Sequence, residues 1–321
     1  MFLYFDKSLG WGELAKRTVK DSIQDDAAGL AAQLSYYFFL SLFPALLFIV
    51  ALASFFPLYN FTDELMRLLA PIAPQAVVDL LQEQLTSLSN SDDAGLVSIG
   101  LLMALWSSSA AMVSVIEAMN RAYDIEESRP WWKVRVTAIA LTTVLALFIL
   151  TSFALIVAGP WLADFLGRQF GLAPAFTWTW KIIQWPIVFL LASTGFGLVY
   201  YFAPDADQEW VWITPGALAA TILWLLASLA FRFYVVNFGN YEEAYGTLGA
   251  IILTLLWFYI TGLVMVVGAE LNAEIERASP WSKSPGPKVV GQRKRLGLAA
   301  SREWLKKQAG TDYAPGKAWS T

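Results

Sequence analysis

Residues 213–277 read ITPGALAATILWLLASLAFRFYVVNFGNYEEAYGTLGAIILTLLWFYITGLVMVVGAELNAEIER, and this stretch decides the fold. It holds two apolar segments, about Ile213–Val236 and Thr247–Leu271. Each exceeds the ~20 residues that an α-helix needs to cross a hydrocarbon core about 30 Å thick. A short polar turn separates them, so the pair predicts a transmembrane helical hairpin. Arg232, Glu242, Glu243, Glu270, Asn272 and Glu274 sit inside it or at its rims. Ionisable side chains are expensive near a bilayer interior and usually face a bundle interior or a wet cavity. The hairpin therefore reads as one wall of a polar path or pocket.

Composition points the same way. The chain is 57% apolar and only 15% charged, with a mean hydropathy of +0.52. Soluble domains carry about 25% charged residues. Trp131–Trp132, Trp178, Trp180, Trp185, Trp210, Trp212 and Trp281 recur near segment ends, as in an aromatic belt at headgroup depth. With no Cys and no His, disulfides, Ser-His-Asp triads, Cys-His dyads and HExxH zinc sites are excluded. No cofactor and no enzymatic activity are expected, because no pair of activated nucleophile and base is visible. The N-terminus lacks the basic and long apolar regions of a cleavable signal peptide.

Outward from the hairpin, four more spans follow the same rule: about residues 29–56, 95–119, 136–161 and 182–202. Pro44 is expected to kink the first. Trp11, Leu14, Ala15, Val19 and Ile23 recur at helical spacing before it, which predicts an amphipathic helix on an anionic membrane surface. Leu65–Leu69 and Val77–Leu88, split by Pro71 and Pro74, predict two short interfacial helices. The expected fold is all-α: a polytopic membrane bundle of six transmembrane helices over residues 1–278, with short amphipathic interfacial helices. Residues 279–321 read as a basic, disordered cytoplasmic tail.

Orientation comes from Lys and Arg. One side collects Lys7, Lys16, Arg17 and Lys20, then Arg121, Arg129, Lys133 and Arg135, then ten bases from Arg277 onward. The other has Arg67, Arg168 and Lys181, with Arg232 near that end of its span. Both termini are thus expected in the cytoplasm. Membrane lipids are the expected partners, with the basic tail touching anionic lipid and no nucleic acid bound; the oligomeric state stays open.

Several motifs carry a resemblance. DDAAGLAAQLSYY at 25–37, running on to LSLFP at 40–44, resembles the opening signature of the YihY/BrkB family. PGALAA at 215–220 with Trp224, Tyr241, YGTLG at 245–249, LWFY at 256–259 and GAE at 268–270 are similar to its later motifs. The resemblance spans about residues 10–278 and implies a bacterial inner-membrane protein with six helices. Some members of that family are linked to envelope lipid or lipopolysaccharide biogenesis, and some carry the label ribonuclease BN. A chain without His lacks the metal ligands of the zinc-dependent nucleases, so the nuclease label is not carried over.

Each candidate residue has two readings. Asp25 and Asp26 are helix-start acids or a carboxylate pair at a cavity mouth. Glu117 and Arg121 are spaced to pair one turn apart. Glu270 and Glu274 share a helix face: they are solvated near the interface and paired with Arg277, or Glu270 holds a cation or proton in a central cavity. Arg232 snorkels or neutralises a lipid phosphate. Tyr241 and Tyr245 bond across helices or join the aromatic belt. Ser107–Ser109 hydrogen-bond within or between helices, or line a path. A transporter or flippase-like protein for a lipid or other amphipathic envelope substrate needs Asp25, Asp26, Glu117, Arg232 and Glu270 to converge at membrane depth. A non-catalytic membrane scaffold needs a closed interior with those charges paired.

Overall fold

A computed structural model describes residues 10–53, 94–157, 173–207, 214–238, 247–278 and 294–295. The described residues form seven α-helices: α1 Trp11–Gln24, α2 Ala27–Ala53, α3 Ala94–Ala122, α4 Trp131–Val157, α5 Ala173–Phe202, α6 Pro215–Phe238 and α7 Thr247–Ala278. Helices α2 to α7 are each long and apolar enough to cross a membrane, so the fold is an all-α bundle of six spans. The expected interfacial helices at 65–69 and 77–88 lie outside the described residues. So does the basic tail, except that Lys294–Arg295 pairs in parallel with Ala206–Asp207.

Neighbours in sequence are neighbours in space. Each span packs on the next from α2 to α7, and α7 packs back on α2, closing a ring. Helix α1 docks on α7 and α2, so it marks the end of the bundle where the first span begins and the sixth finishes. Leu14, Thr18 and Ser22 of α1 are buried, whereas Trp11, Val19 and Ile23 are exposed. One stripe of α1 thus meets the bundle and leaves an apolar stripe for lipid. Most of α6 faces outward, with 11% of its apolar window buried, against 39% for α3.

Small residues close the ring. Lipid tails are as apolar as Leu, so helices in a bilayer associate through close packing and interhelical hydrogen bonds. Gly216 of α6 faces Gly268 of α7. A Cβ at Gly268 would overlap the Tyr200 hydroxyl and lie 2.8 Å from Ala220 Cβ; one at Gly216 would overlap the Gly268 carbonyl. Tyr200 of α5 donates to the Met265 carbonyl at 2.9 Å, and Ser193 donates to Thr221 at 3.1 Å between α5 and α6. On the other flank, a Cβ at Gly262 would lie 3.1 Å from Leu34 Cβ of α2, and Ser35 donates to the Leu255 carbonyl at 2.6 Å.

Helix ends differ from the hydropathy limits, each for a local reason. Helix α4 begins at Trp131, five residues before the expected span, because Pro130 sets its first turn and its carbonyl accepts from Lys133 N at 2.8 Å. Helix α5 starts at Ala173 rather than about residue 182, so Trp178 and Trp180 lie on the helix and not in a loop. Helix α7 continues to Ala278; the hydropathy falls at Glu270, but Glu270, Asn272 and Glu274 are buried and keep the helix packed. Helices α2 and α5 run through Pro44 and Pro186.

Gly268→Ala should destabilise the protein by about 1–3 kcal/mol through overpacking. Gly12→Ala, which meets open space on α1, should be neutral or stabilise by up to about 1 kcal/mol. Thermal unfolding of the two variants in detergent checks the contrast.

Candidate functional site

At the α1 end, the turn between α3 and α4 is built into a polar clasp. Helix α3 stops in a Schellman arrangement: Asp124 takes a left-handed φ of 51°, and Ile125 N donates to the Asn120 carbonyl at 2.8 Å, which satisfies a helix-end acceptor. This turns Glu127, Ser128 and Arg129 back over the helix end. Glu127 accepts from Asn120 Nδ2 at 2.8 Å and from Arg129 Nε and Nη2 at 2.8 and 2.7 Å. Arg129 also donates to the Ala203 carbonyl at 2.8 Å and lies 3.7 Å from Asp205. Asp205 is buried; its carboxylate accepts from Ser128 N at 3.0 Å and from the Ser128 hydroxyl, and its N–H donates to Asn120 Oδ1 at 2.7 Å. Burial alone would raise the Glu127 carboxyl, but the hydrogen bonds from Arg129 and Asn120, with the guanidinium charge, hold it below its ordinary value.

Beside the clasp an open groove of about 610 Å³ separates α3 from α4. Trp106, Val113, Ile116, Glu117, Glu127, Arg129, Trp131, Val134 and Arg135 line it. Arg129 and Glu127 neutralise each other within the clasp. Glu117 accepts only a 3.3 Å bond from Gln33, and no ion pair joins it to Arg121 among the described residues, contrary to the spacing. The Arg135 guanidinium stacks 4.1 Å over the Trp106 ring and donates to its carbonyl. Its Nε is buried without a hydrogen-bond partner among the described residues. One cation and one anion thus face the same groove, and they form no ion pair with each other.

A second cavity of about 320 Å³ sits deeper, and its lining is almost wholly apolar. Thr142, Leu145, Ala146 and Ile149 of α4 contribute to it, with Ser108 and Met112 of α3 and Phe38 and Phe258 from α2 and α7. Arg135 and Thr142 are seven residues apart, and Val134 and Leu145 eleven, so one stripe of α4 serves both cavities. Charge at the rim and apolar surface below it match the two halves of an amphipathic molecule.

The structure does not bring all of the residues singled out from the sequence together. Asp26 caps α2: it takes φ 55° and accepts from Gly29 N at 3.2 Å, the helix-start reading. A Cβ at Gly29 would overlap that carboxylate. Asp25 closes α1 beside it. Glu117 lines the groove. Glu270 and Glu274 are both buried in α7, so the expected solvation at the interface does not hold. Arg232 is exposed on α6, sixteen residues beyond Gly216. At 1.5 Å per residue it lies about 24 Å from the level of Gly268, so it and Glu270 occupy opposite ends of the bundle. Tyr241, Tyr245, Glu242 and Glu243 lie outside the described residues, as does the Arg277 side chain. Ser108 and Ser109 bond back to the carbonyls of Leu105 and Trp106 at 3.1 and 2.8 Å. No group of three or more acidic side chains is placed to hold a metal ion among the described residues.

Residues 18–291, which carry all six spans and both cavities, match the family described as Virulence factor BrkB. The chain belongs to the BrkB family. It is similar to a ribonuclease-like protein, YfkH, of Bacillus subtilis (strain 168), 35% identical over 77% of this chain and 89% of that relative. It is also similar to UPF0761 membrane proteins of Xanthomonas campestris pv. campestris (strain B100) and Ralstonia nicotianae (strain ATCC BAA-1114 / GMI1000). These are 26% and 24% identical over 83% and 85% of this chain. The chain spans 62% of the length of each of those two relatives. No solved structure matches it. It is thus an integral, multi-pass membrane protein of the BrkB and UPF0761 group.

Sequence reasoning passed over Asn120, Asp205 and Arg135 as site residues of this BrkB chain. Arg135 had a signal: it stands one turn inside an apolar run that opens with Trp131–Trp132. Asn120 and Asp205 had none, since their pairing joins segments 85 residues apart.

The clasp makes stability depend on pH. Because Glu127 titrates below its ordinary 4.5 when folded, the unfolded chain takes up the proton first as the pH falls. The contribution is whole above the unfolded value and is lost as the pH drops through the lower folded one. The stability difference between the intact protein and Glu127→Gln should therefore be constant from about pH 7 to about pH 5 and shrink below about pH 4, as read by thermal unfolding.

Proposed function

We propose that this protein moves or presents an amphipathic envelope lipid, in the manner of a flippase, along the seam between α3 and α4 rather than through a central pore. One observation supports the reading: a charged groove at the α1 end lies over an apolar cavity on the same stripe of α4. Charge at headgroup depth and apolar lining below suit a lipid that enters from the side. The resemblance to families linked with envelope lipid biogenesis agrees. The Lys and Arg residues that the sequence collects on that side support a cytoplasmic location for the α1 end and both termini, in a bacterial inner membrane. The ribonuclease-like wording belongs to YfkH; a chain without His lends it no support.

A scaffold that recruits partners through its basic tail is the second reading. The Asn120–Glu127–Arg129–Asp205 clasp favours it, because those charges are spent on holding α3, α4 and α5 together.

Proteoliposomes separate the two. Fluorescent phospholipid analogues are reduced chemically from the outer leaflet, with the intact protein compared with Arg135→Gln, Glu270→Gln and Arg232→Gln. The seam predicts translocation above empty vesicles and a fall of about ten-fold in Arg135→Gln, the loss of one charge-assisted bond. Arg232→Gln, at the far end of α6, should fall less. Well-folded protein that moves no phospholipid would favour the scaffold.

A further inference from the structure

The groove between α3 and α4 specifies more than a lipid. Four charged side chains line it. The Glu127–Arg129 pair is closed, with the Arg129 side chain nearly buried and both partners engaged in the clasp. The remaining two, Arg135 and Glu117, carry opposite charges and are not joined to each other within ion-pair distance among the described residues. Among the described residues the buried Arg135 Nε has no hydrogen-bond partner, and stacking on Trp106 fixes the plane of the guanidinium. Glu117 is exposed and engages one oxygen with the neutral amide of Gln33.

A wall bearing one cation and one anion is matched by a ligand that is itself a zwitterion. An anionic headgroup would satisfy Arg135 but would face Glu117 uncompensated, and like charges disfavour such a complex. We infer that the groove binds the headgroup of an aminophospholipid, with the phosphate on Arg135 and the primary ammonium on Glu117, an inference that rests on the seam as a lipid-handling site. Nε is buried and Nη2 is turned to the Trp106 carbonyl, so the phosphate is received by the remaining N–H groups of the charged guanidinium. A primary ammonium donates hydrogen bonds that a carboxylate accepts, which a quaternary choline group lacks. Trp131 lines the groove and is exposed, next to exposed Trp132 and Lys133, with the Lys133 ammonium 5.4 Å from the Trp132 ring. That is the composition of a headgroup-depth rim, so the source is a lipid in the leaflet rather than a soluble amine.

The test is native mass spectrometry of the full chain released from micelles doped with equal amounts of phosphatidylethanolamine, phosphatidylglycerol and phosphatidylcholine. The intact protein should retain phosphatidylethanolamine over phosphatidylglycerol by about ten-fold. Glu117→Gln should abolish that preference and Glu117→Lys should reverse it, while Arg135→Gln should lower retention of all three. Glycerophosphoethanolamine, the same headgroup without chains, should compete only weakly. Equal or better retention of phosphatidylglycerol by the intact protein would overturn the assignment, and so would an unchanged preference in folded Glu117→Gln. Full competition by glycerophosphoethanolamine would overturn the lipid source. The wild-type selectivity needs no variant, so it stands even if a substitution fails to fold. Translocation without headgroup preference would sink this inference and leave the seam; preference without translocation would keep the headgroup site and overturn movement of the lipid along the seam.

Discussion

The contact between Gly216 and Gly268 is the constraint on which the rest of the bundle depends. Neither position has room for a Cβ, and that allows the backbones of α6 and α7 to meet. Asn272, one turn further along α7, then reaches the start of α6: its Oδ1 accepts from Gly216 N at 2.8 Å and its Nδ2 donates to Thr214 Oγ1 at 2.9 Å. Thr214 in turn accepts from Ala217 N at 3.2 Å. A helix N-terminus has donors without partners, and here the neighbouring span satisfies one of them while Pro215 contributes none. Hydrogen bonds between membrane helices average about 0.6 kcal/mol, so steric fit, more than any single bond, sets where α7 sits.

With α7 fixed, the ends of the bundle become unlike. The α1 end carries the buried carboxylates Glu270 and Glu274 of α7 and the buried Asp205 after α5. It also carries the ion pair Glu127–Arg129. Such groups are tolerated at a membrane boundary when hydrogen-bonded or paired, and for Asp205, Glu127 and Arg129 the clasp achieves that by drawing the turn after α3 onto the end of α5. The groove lies beside it between α3 and α4, with Arg135 and Glu117 on the two walls. Its mixed charge follows from which of its charged residues the clasp does not use.

Much of this was legible in the sequence. Long runs without charge specify six spans, because only a helix satisfies its own backbone in hydrocarbon, and the motifs at 215–220 and 268–270 coincide with the close contact of α6 and α7. Asp26 followed by a small-residue run marked the start of α2. Span limits were less legible, since hydropathy falls where polar residues begin, whereas α7 continues through Glu270 and Glu274 by burying them. The convergence of costly charges expected of a transporter fails at Arg232, for a geometric reason. Arg232 and Glu270 are 38 residues apart in sequence, but the hairpin places them at opposite ends, and a list of charges carries no depth. Arg135 was hidden because an Arg near a span end reads first as a topology signal; its role depends on the gap to α3, which only packing defines.

Helix α7 closes the ring by packing against α2 as well as against α6. A chain without Cys allows a direct measurement: disulfide formation between cysteines placed at Leu34 and Gly262, whose Cβ positions are 3.1 Å apart. Disulfides bridge Cβ atoms about 3.5–4.5 Å apart. The two Cβ positions need to part by only about half an ångström to reach that range, so Leu34→Cys with Gly262→Cys should cross-link in native membranes under mild oxidation, and a cysteine pair at Leu34 and Arg232 should not. Failure of the first pair to cross-link in folded protein would contradict the closed ring, and with it the arrangement that leaves the groove between α3 and α4.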